Sequence, residues 1–121
     1  MRRILPLLLL SCAAQHPHAP AVLDRLDFAW PRLQAQYSAD QREAVSWAAT
    51  PAEAWDESAA VLDTWGPAWQ ATRAVVLAAE AGSDPLPAFC AARALWAERG
   101  VTVDDDGLCT LQRPCWTRPE D

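Results

Sequence analysis

Apolar side chains recur at helical spacing over most of this chain, and Pro and Gly divide the pattern into segments. The first segment, Ala21 to Tyr37, has its apolar positions one helical turn apart and is predicted to be helical. Pro31 lies inside it, so we expect either a kink there or two short helices. Ser38 and Gln41 have the pattern of a capping box, which predicts that a separate helix starts here and runs to about Ala49.

A long helix is predicted next. Thr50 to Glu53 form a second capping box, with Pro in the first helical turn. The apolar stripe that follows has near-heptad spacing and consists of Trp55, Leu62, Trp65, Trp69, Val76 and Ala79. The stripe keeps its phase across Gly66-Pro67, which predicts a kinked helix or two nearly coaxial helices, and Gly82 is the expected end.

A last helix is predicted to follow Gly82. Ser83 or Asp84 can cap it, Pro85 fits its first turn, and Gly100 ends it. Its apolar face consists of Leu86, Phe89, Cys90, Leu95 and Trp96.

The residues after the last helix have the pattern of a small β-hairpin. Val101 to Val103 and Leu108 to Leu111 are the predicted strands, and Asp104 to Gly107 form the turn. The predicted fold is therefore mainly α, a small helical bundle of about four helices with a short C-terminal β-hairpin. A length of 121 residues is enough for one domain.

The N-terminal residues differ from the rest of the chain. Met1-Arg2-Arg3 is basic, and Ile4 to Leu10 is an apolar run that is far shorter than the roughly 20 residues of a membrane span. Leu9-Leu10-Ser11-Cys12 follows at once. This arrangement resembles the signal peptide and lipobox of bacterial lipoproteins, in which the cysteine is lipidated and the residues before it are removed.

The resemblance implies a signal peptide over residues 1–11, a lipid on Cys12 and a location in the cell envelope. Ala13, in place of an Asp, favours the outer membrane over the inner membrane. The alternative is a cytoplasmic protein with a misread start.

Residues 12–20 are predicted to form a flexible tether ahead of a domain over residues 21–121, because they contain two Pro and no apolar period. His16 and His18 in this segment could bind a metal, but the sequence places no third ligand beside them. A linker is therefore favoured, and neither a metal site nor a cofactor is predicted.

The net charge of the chain limits the kinds of partner that it can bind. All ten basic residues are Arg, and they face sixteen acidic residues. Removal of Arg2 and Arg3 with the signal leaves eight Arg and a net charge of −8. Such a charge opposes binding to nucleic acid and to anionic lipid, so a lipid on Cys12 is the expected contact with the membrane.

The sequence contains no convincing catalytic constellation, and we expect a protein that is not an enzyme. Both histidines lie in the tether, which excludes a His-dependent triad in the domain. Glu53, Asp56 and Glu57 could form an acid–base pair, but their place at a helix start favours stabilisation by the helix dipole. Asp104 to Gly107 resembles part of an EF-hand loop, yet Cys115 stands where the loop requires Glu.

Three cysteines remain once Cys12 is assigned to lipid. In an oxidising envelope we expect one structural disulfide among Cys90, Cys109 and Cys115. The spacing leaves the pairing open, either Cys109 with Cys115 or Cys90 with one of the two. A bond from Cys90 would join the last helix to the hairpin.

Seven tryptophans are the most unusual feature of the composition. Packing in the core is the favoured role, since each Trp buries about 150–250 Å², but seven exceed what a small core hides. Trp55, Trp65 and Trp69 are therefore the candidate surface for a protein partner, or for an apolar or sugar ligand.

One stretch, from Ala29 to about Arg99, has a spaced set of residues made up of Trp30, Val61-Leu62-Asp63, Trp69, Arg73 and Phe89-Cys90-Ala91-Ala92-Arg93. With these residues it resembles a helical segment of many myxobacterial serine/threonine kinases, located between the kinase domain and tetratricopeptide repeats. The resemblance implies a helical scaffold or sensor-like region. The chain lacks the Gly-rich loop, His-Arg-Asp and Asp-Phe-Gly motifs, so no kinase chemistry is expected.

These patterns together predict a non-enzymatic lipoprotein, anchored at the envelope, whose helical domain binds an envelope protein. Two alternatives stay open: a ligand-binding lipoprotein with a Trp-lined groove, and a cytoplasmic helical module.

Overall fold

A computed structural model describes residues 16–111, and these residues form a bundle of three α-helices. Helix α1 spans Ala19–Ser46, α2 spans Pro51–Glu80, α3 spans Leu86–Glu98, and a 3-10 helix follows at Leu108–Leu111. Helices α1 and α2 form an antiparallel hairpin, and α3 packs mainly on α2. The mainly helical prediction is confirmed, with three helices in the described range and not about four. None of these helices has both the length and the apolar character needed to cross a bilayer.

Helix α1 begins inside the segment predicted to be a tether. Residues 16–18 form a turn, and the backbone N–H of Ala19 donates to the carbonyl of His16 at 3.0 Å. Pro20 lies in the first helical turn, where its missing N–H costs nothing. The tether was expected to end at residue 20, but the helix already begins at Ala19. The boundary was placed too far along the chain because Pro20 was interpreted as a linker residue and not as a residue of the first helical turn.

Helix α1 is also continuous across Pro31 and Ser38, so two predicted helices are one. The expected capping box at Ser38 does not form. Gln41 instead donates its amide to the hydroxyl of Tyr37 at 3.1 Å and to that of Ser58 in α2 at 3.3 Å. The polar side chains that suggested a helix start thus bind side chains along the bundle.

The predicted start of α2 is confirmed. Thr50 is the N-cap, and its hydroxyl accepts a hydrogen bond from the backbone N–H of Glu53 at 3.2 Å. The Glu53 carboxylate accepts in turn from the N–H of Ala49 at 2.7 Å. Pro67 lies inside α2 without ending it.

Gly82 and Gly100 end α2 and α3 as expected, with φ angles of +78° and +90°. In both turns the residue after the glycine donates its N–H to a carbonyl five residues earlier at 2.9 Å, which is the Schellman arrangement. After α3 this residue is Val101, which is buried with Trp96 in the core. The second glycine therefore directs the chain back onto the bundle.

The core lies between the three helices and differs from the predicted stripe on α2. The buried residues of α2 are Trp65, Ala68, Thr72 and Val75. Helix α3 has 13 residues, and its C-terminal end lies beside Thr64 in the middle of α2. Trp55 and Leu62 are consequently exposed, although they belong to the predicted stripe.

The predicted β-hairpin is wrong, because the described residues after α3 contain no strand. The carbonyls of residues 102–104 accept hydrogen bonds from three arginines, Arg32, Arg93 and Arg25 respectively, at 3.0, 2.5 and 3.0 Å. Side chains from α1 and α3 thus bind the three carbonyls that a partner strand would otherwise bind.

Asp105 starts the 3-10 helix that replaces the second predicted strand. Its carboxylate accepts from the backbone N–H of Gly107 at 3.1 Å and of Cys109 at 3.0 Å. These bonds stabilise a turn at residues 104–107, as expected. The residues after the turn form the 3-10 helix and not the predicted strand.

Candidate functional site

A cluster of aromatic rings joins α1 to α2. Trp69 is its centre, with ring centroids 5.8 Å from Trp30, 5.4 Å from Tyr37 and 5.0 Å from Trp65. The Trp65 indole N–H donates to the Asp40 carboxylate at 2.8 Å. One side of the cluster therefore lies in the core, and the other side reaches the surface.

The three tryptophans of the predicted partner surface lie in three different environments. Trp65 is fully buried, so its inclusion in a surface is wrong. Trp69 is half-buried and belongs to both the core and the surface. Trp55 is 78% exposed and has the environment expected of a contact residue.

The exposed part of the cluster continues along the α1–α2 seam. We define the aromatic face as Trp30, Tyr37, Trp55, Leu62 and Trp69. Trp30 and Tyr37 contact Trp69, and Leu62 lines a hollow with Trp69 and a second hollow with Tyr37 and Trp55. The five side chains are thus contiguous, and Trp30 and Tyr37 of α1 belong to the face although the sequence analysis placed only residues of α2 on it.

The two hollows of the aromatic face differ in their walls. The larger, about 630 Å³, is lined only by residues 62–70 of α2, so no second element encloses a ligand there. The smaller, about 210 Å³, lies between α1 and α2, with Tyr37 and Gln41 on one side and Trp55 and Leu62 on the other. Pockets for small molecules usually enclose about 300–1,000 Å³. The smaller hollow is the size of one or two side chains.

The predicted disulfide is present, and the structure selects one of the open pairings. Cys90 of α3 is bonded to Cys109, with their Cα atoms 5.7 Å apart. Cys12 and Cys115 lie outside the described residues. The bond joins α3 to the 3-10 helix, next to the Arg93 side chain that holds the extended segment.

Two acidic residues from the segments considered for acid–base chemistry and for calcium binding have local structural roles. Glu53 belongs to the α2 cap described above. Hydrogen bonds from the N–H groups of Cys109 and Gly107, with the nearby Arg93 guanidinium, lower the pKa of Asp105 below its ordinary 3.8, although burial acts in the opposite direction. A carboxylate that stabilises a turn in its charged form has no feature of a general acid.

One group of metal-ligating side chains within residues 16–111 was not predicted. His16 and His18 meet Asp84, from the turn between α2 and α3, with Nδ1–Oδ1 distances of 3.6 and 3.1 Å. The sequence offered no third ligand near the histidines, because Asp84 is 66 residues from His18.

Comparisons with protein-family models, curated proteins and solved structures gave no match for this chain.

Proposed function

We propose that this chain is a lipid-anchored protein of the bacterial envelope that binds another envelope protein through its aromatic face. It is proposed to have no catalytic activity. The observation that supports this best is the exposure of contiguous apolar side chains on α1 and α2, led by Trp55. Large contiguous apolar patches on soluble domains usually mark interaction sites, and aromatic residues are enriched there.

The shape of the aromatic face favours a protein over a small molecule. A hollow for one or two side chains, beside a shallow depression on a single helix, suits apolar side chains presented by another helix. A drug-sized ligand would keep much of its surface in water at either hollow, whereas ligand pockets bury about 70–90% of it. The alternative of a ligand-binding groove is therefore less well supported.

Charge favours a partner that differs from this chain. The full chain has a net charge of −6, and Asp63 lines the larger hollow beside Trp69. Two copies meeting at this face would bring acidic surfaces together, and like charges oppose association. We propose a partner segment that is apolar where it meets Trp55 and Leu62 and has Arg or Lys on either side.

Two further features support the envelope. The Cys90–Cys109 disulfide suits an oxidising compartment and is uncommon in cytosolic proteins. Only three residues separate Cys12 from His16, so the Cα atoms of the anchor residue and of the first folded residue can be at most about 14 Å apart. A lipid on Cys12 would thus hold the bundle close to the bilayer, where membrane-associated partners are met first.

Lipid attachment is tested by metabolic labelling with a fatty-acid probe in a bacterial host. The wild-type chain should be labelled and lose its first eleven residues, whereas Cys12→Ala should be unlabelled and keep them. An unlabelled wild-type chain that still begins with Met1 would exclude the anchor.

The aromatic face is tested by placing a photo-crosslinking amino acid at Leu62 or, as a matched control, at Leu77. Both are exposed leucines of α2, at 51% and 44% respectively, and only Leu62 belongs to the aromatic face. We expect Leu62 to yield one adduct that is lost with Trp55→Ser, and mass spectrometry to locate it in an apolar segment with basic neighbours. Equal adducts from both positions, or an acidic partner segment, would refute the proposed face.

A further inference from the structure

We propose that His16, His18 and Asp84 form a binding site for a divalent transition metal of the Zn²⁺ class. One potential ligand atom from each residue lies within 4.8 Å of the other two. The two histidines come from the N-terminal turn and the aspartate from the turn between α2 and α3. The fold thus brings together two distant parts of the chain, and this inference does not depend on the proposed partner or on the lipid.

The spacing of the ligand atoms fits a metal site. Zn²⁺ binds imidazole nitrogen and carboxylate oxygen at about 2.0–2.2 Å, so ligands of a tetrahedral ion lie about 3.3–3.5 Å apart. The Asp84 Oδ1 atom is 3.1 Å from Nδ1 of His18 and 3.6 Å from Nδ1 of His16. A small adjustment of the side chains would place an ion between them.

The three side chains are held in place by the surrounding backbone. His16 is buried, and the carbonyls of His16 and His18 accept the N–H groups of Ala19 and Val22 at the start of α1, each at 3.0 Å. Asp84 Oδ1 also accepts the N–H of Leu86 at 3.0 Å. Backbone bonds of this kind fix the position of ligands before a metal arrives.

The hydrogen bond at Nδ1 of His16 also suits a metal site. Nδ1 of His16 accepts a hydrogen bond from the backbone N–H of His18 at 3.1 Å, so its lone pair is available. A metal would replace this bond, and would also replace the contact between Nδ1 of His18 and Asp84. Two imidazoles and one carboxylate favour Zn²⁺, Ni²⁺ or Cu²⁺ over Mg²⁺ or Ca²⁺, and solvent would complete the coordination.

Bound metal would tie the N-terminal turn to the turn between α2 and α3. In the structure His18 contacts Asp84 Oδ1 by a hydrogen bond of 3.1 Å, and His16 lies 3.6 Å from the same oxygen. We therefore expect the ion to stabilise the start of α1 and to have a structural role.

The test is a calorimetric titration of the full chain, purified in detergent, with Zn²⁺ alone. We expect one ion per chain, and at least tenfold weaker binding in His18→Ala and in Asp84→Asn. Asp63→Asn is the matched control, since it removes one carboxylate from an exposed position on α2 and should change affinity less than twofold. Both test positions are half-buried, and far-UV circular dichroism checks that each variant is folded.

Electron paramagnetic resonance of the Cu²⁺ complex identifies the ligands independently of affinity. Two coordinated imidazoles are expected in the wild-type chain and one in His18→Ala. Thiolate ligands in the spectrum, or equal Zn²⁺ affinity in the wild type and in the His18→Ala/Asp84→Asn double variant, would overturn the proposal. Absence of Zn²⁺ binding by the folded wild-type chain would overturn it as well.

Discussion

Replacement of Thr72 by Val tests how the buried tryptophan of α3 is held. The indole N–H of Trp96 donates to the Thr72 hydroxyl at 2.9 Å, and both side chains are buried. The same hydroxyl donates to the carbonyl of Ala68 at 2.7 Å. Valine keeps the shape of threonine but provides no acceptor, so the Trp96 N–H would stay buried without a partner.

The expected loss of stability follows from two opposing effects. Leaving a buried N–H unpaired costs about 1–3 kcal/mol, while the additional apolar group contributes up to about 0.8 kcal/mol in the other direction. We expect a net destabilisation of about 1–2 kcal/mol. In a domain of this size that corresponds to a fall in Tm of roughly 5–15 °C.

Thr64→Val is the matched control for this experiment. Thr64 lies on the same helix and donates its hydroxyl to the carbonyl four residues earlier at 3.0 Å, but it is exposed and binds no indole. Urea unfolding followed by Trp fluorescence should show a change within about 0.5 kcal/mol for this variant. If Thr72→Val unfolds at the same urea concentration as Thr64→Val, the Trp96 hydrogen bond does not stabilise the bundle.

Three further changes have expected outcomes. Cys90→Ser removes the bond to Cys109, which closes a loop of about 20 residues, and should cost about 3 kcal/mol by the chain-entropy estimate. A variant with the same Tm as the oxidised wild-type chain would contradict this. Gly100→Ala, at a φ of +90°, should lower stability by about 1–2 kcal/mol, and an unchanged or raised midpoint of thermal unfolding would refute this expectation. Because the folded-state pKa of Asp105 lies below 3.8, its charged form stabilises the fold above that pH and the contribution is lost as pH falls through the lower folded-state value. Asp105→Asn should therefore flatten the dependence of stability on pH in the acid range, and an unchanged acid transition would argue against it.

Helix ends were the part of this fold that local sequence predicts well. Thr50 with Glu53 and the two C-terminal glycines act through backbone groups within six residues, so their chemistry is visible in a short stretch. Ser38 shows the limit of this reasoning. Ser38 and Gln41 have the spacing of a capping box at a helix start. In the structure, however, Gln41 binds the side chains of Tyr37 in α1 and Ser58 in α2, and these partners become visible only in the folded bundle.

The predicted hairpin failed for a related reason. Alternating apolar residues after Gly100 predict strands when backbone groups have no other partners. Here Arg25 and Arg32, about 70 to 80 residues earlier in the chain, supply those partners, and no local pattern indicates this.

The candidate site was only partly predictable. The heptad spacing identified Trp55 and Trp69 as residues on one face of α2. Spacing does not show how far along that face a neighbouring helix extends, and this length decides which of the residues are buried. Because α3 ends near Thr64, Trp65 is core while Trp55 is surface. The meeting of the two N-terminal histidines with Asp84 depends on how the whole bundle closes.

The continuity of α1 also fixes a distance. At about 1.5 Å per residue its 28 residues, which continue through Pro31, extend up to about 42 Å. The turn that contains Trp47, which is 79% exposed, therefore lies about 40 Å from the N-terminal histidines, at the other end of α1. A molecule that contacts Trp47 and a molecule that contacts the histidines would therefore bind at opposite ends of the bundle, too far apart to touch each other.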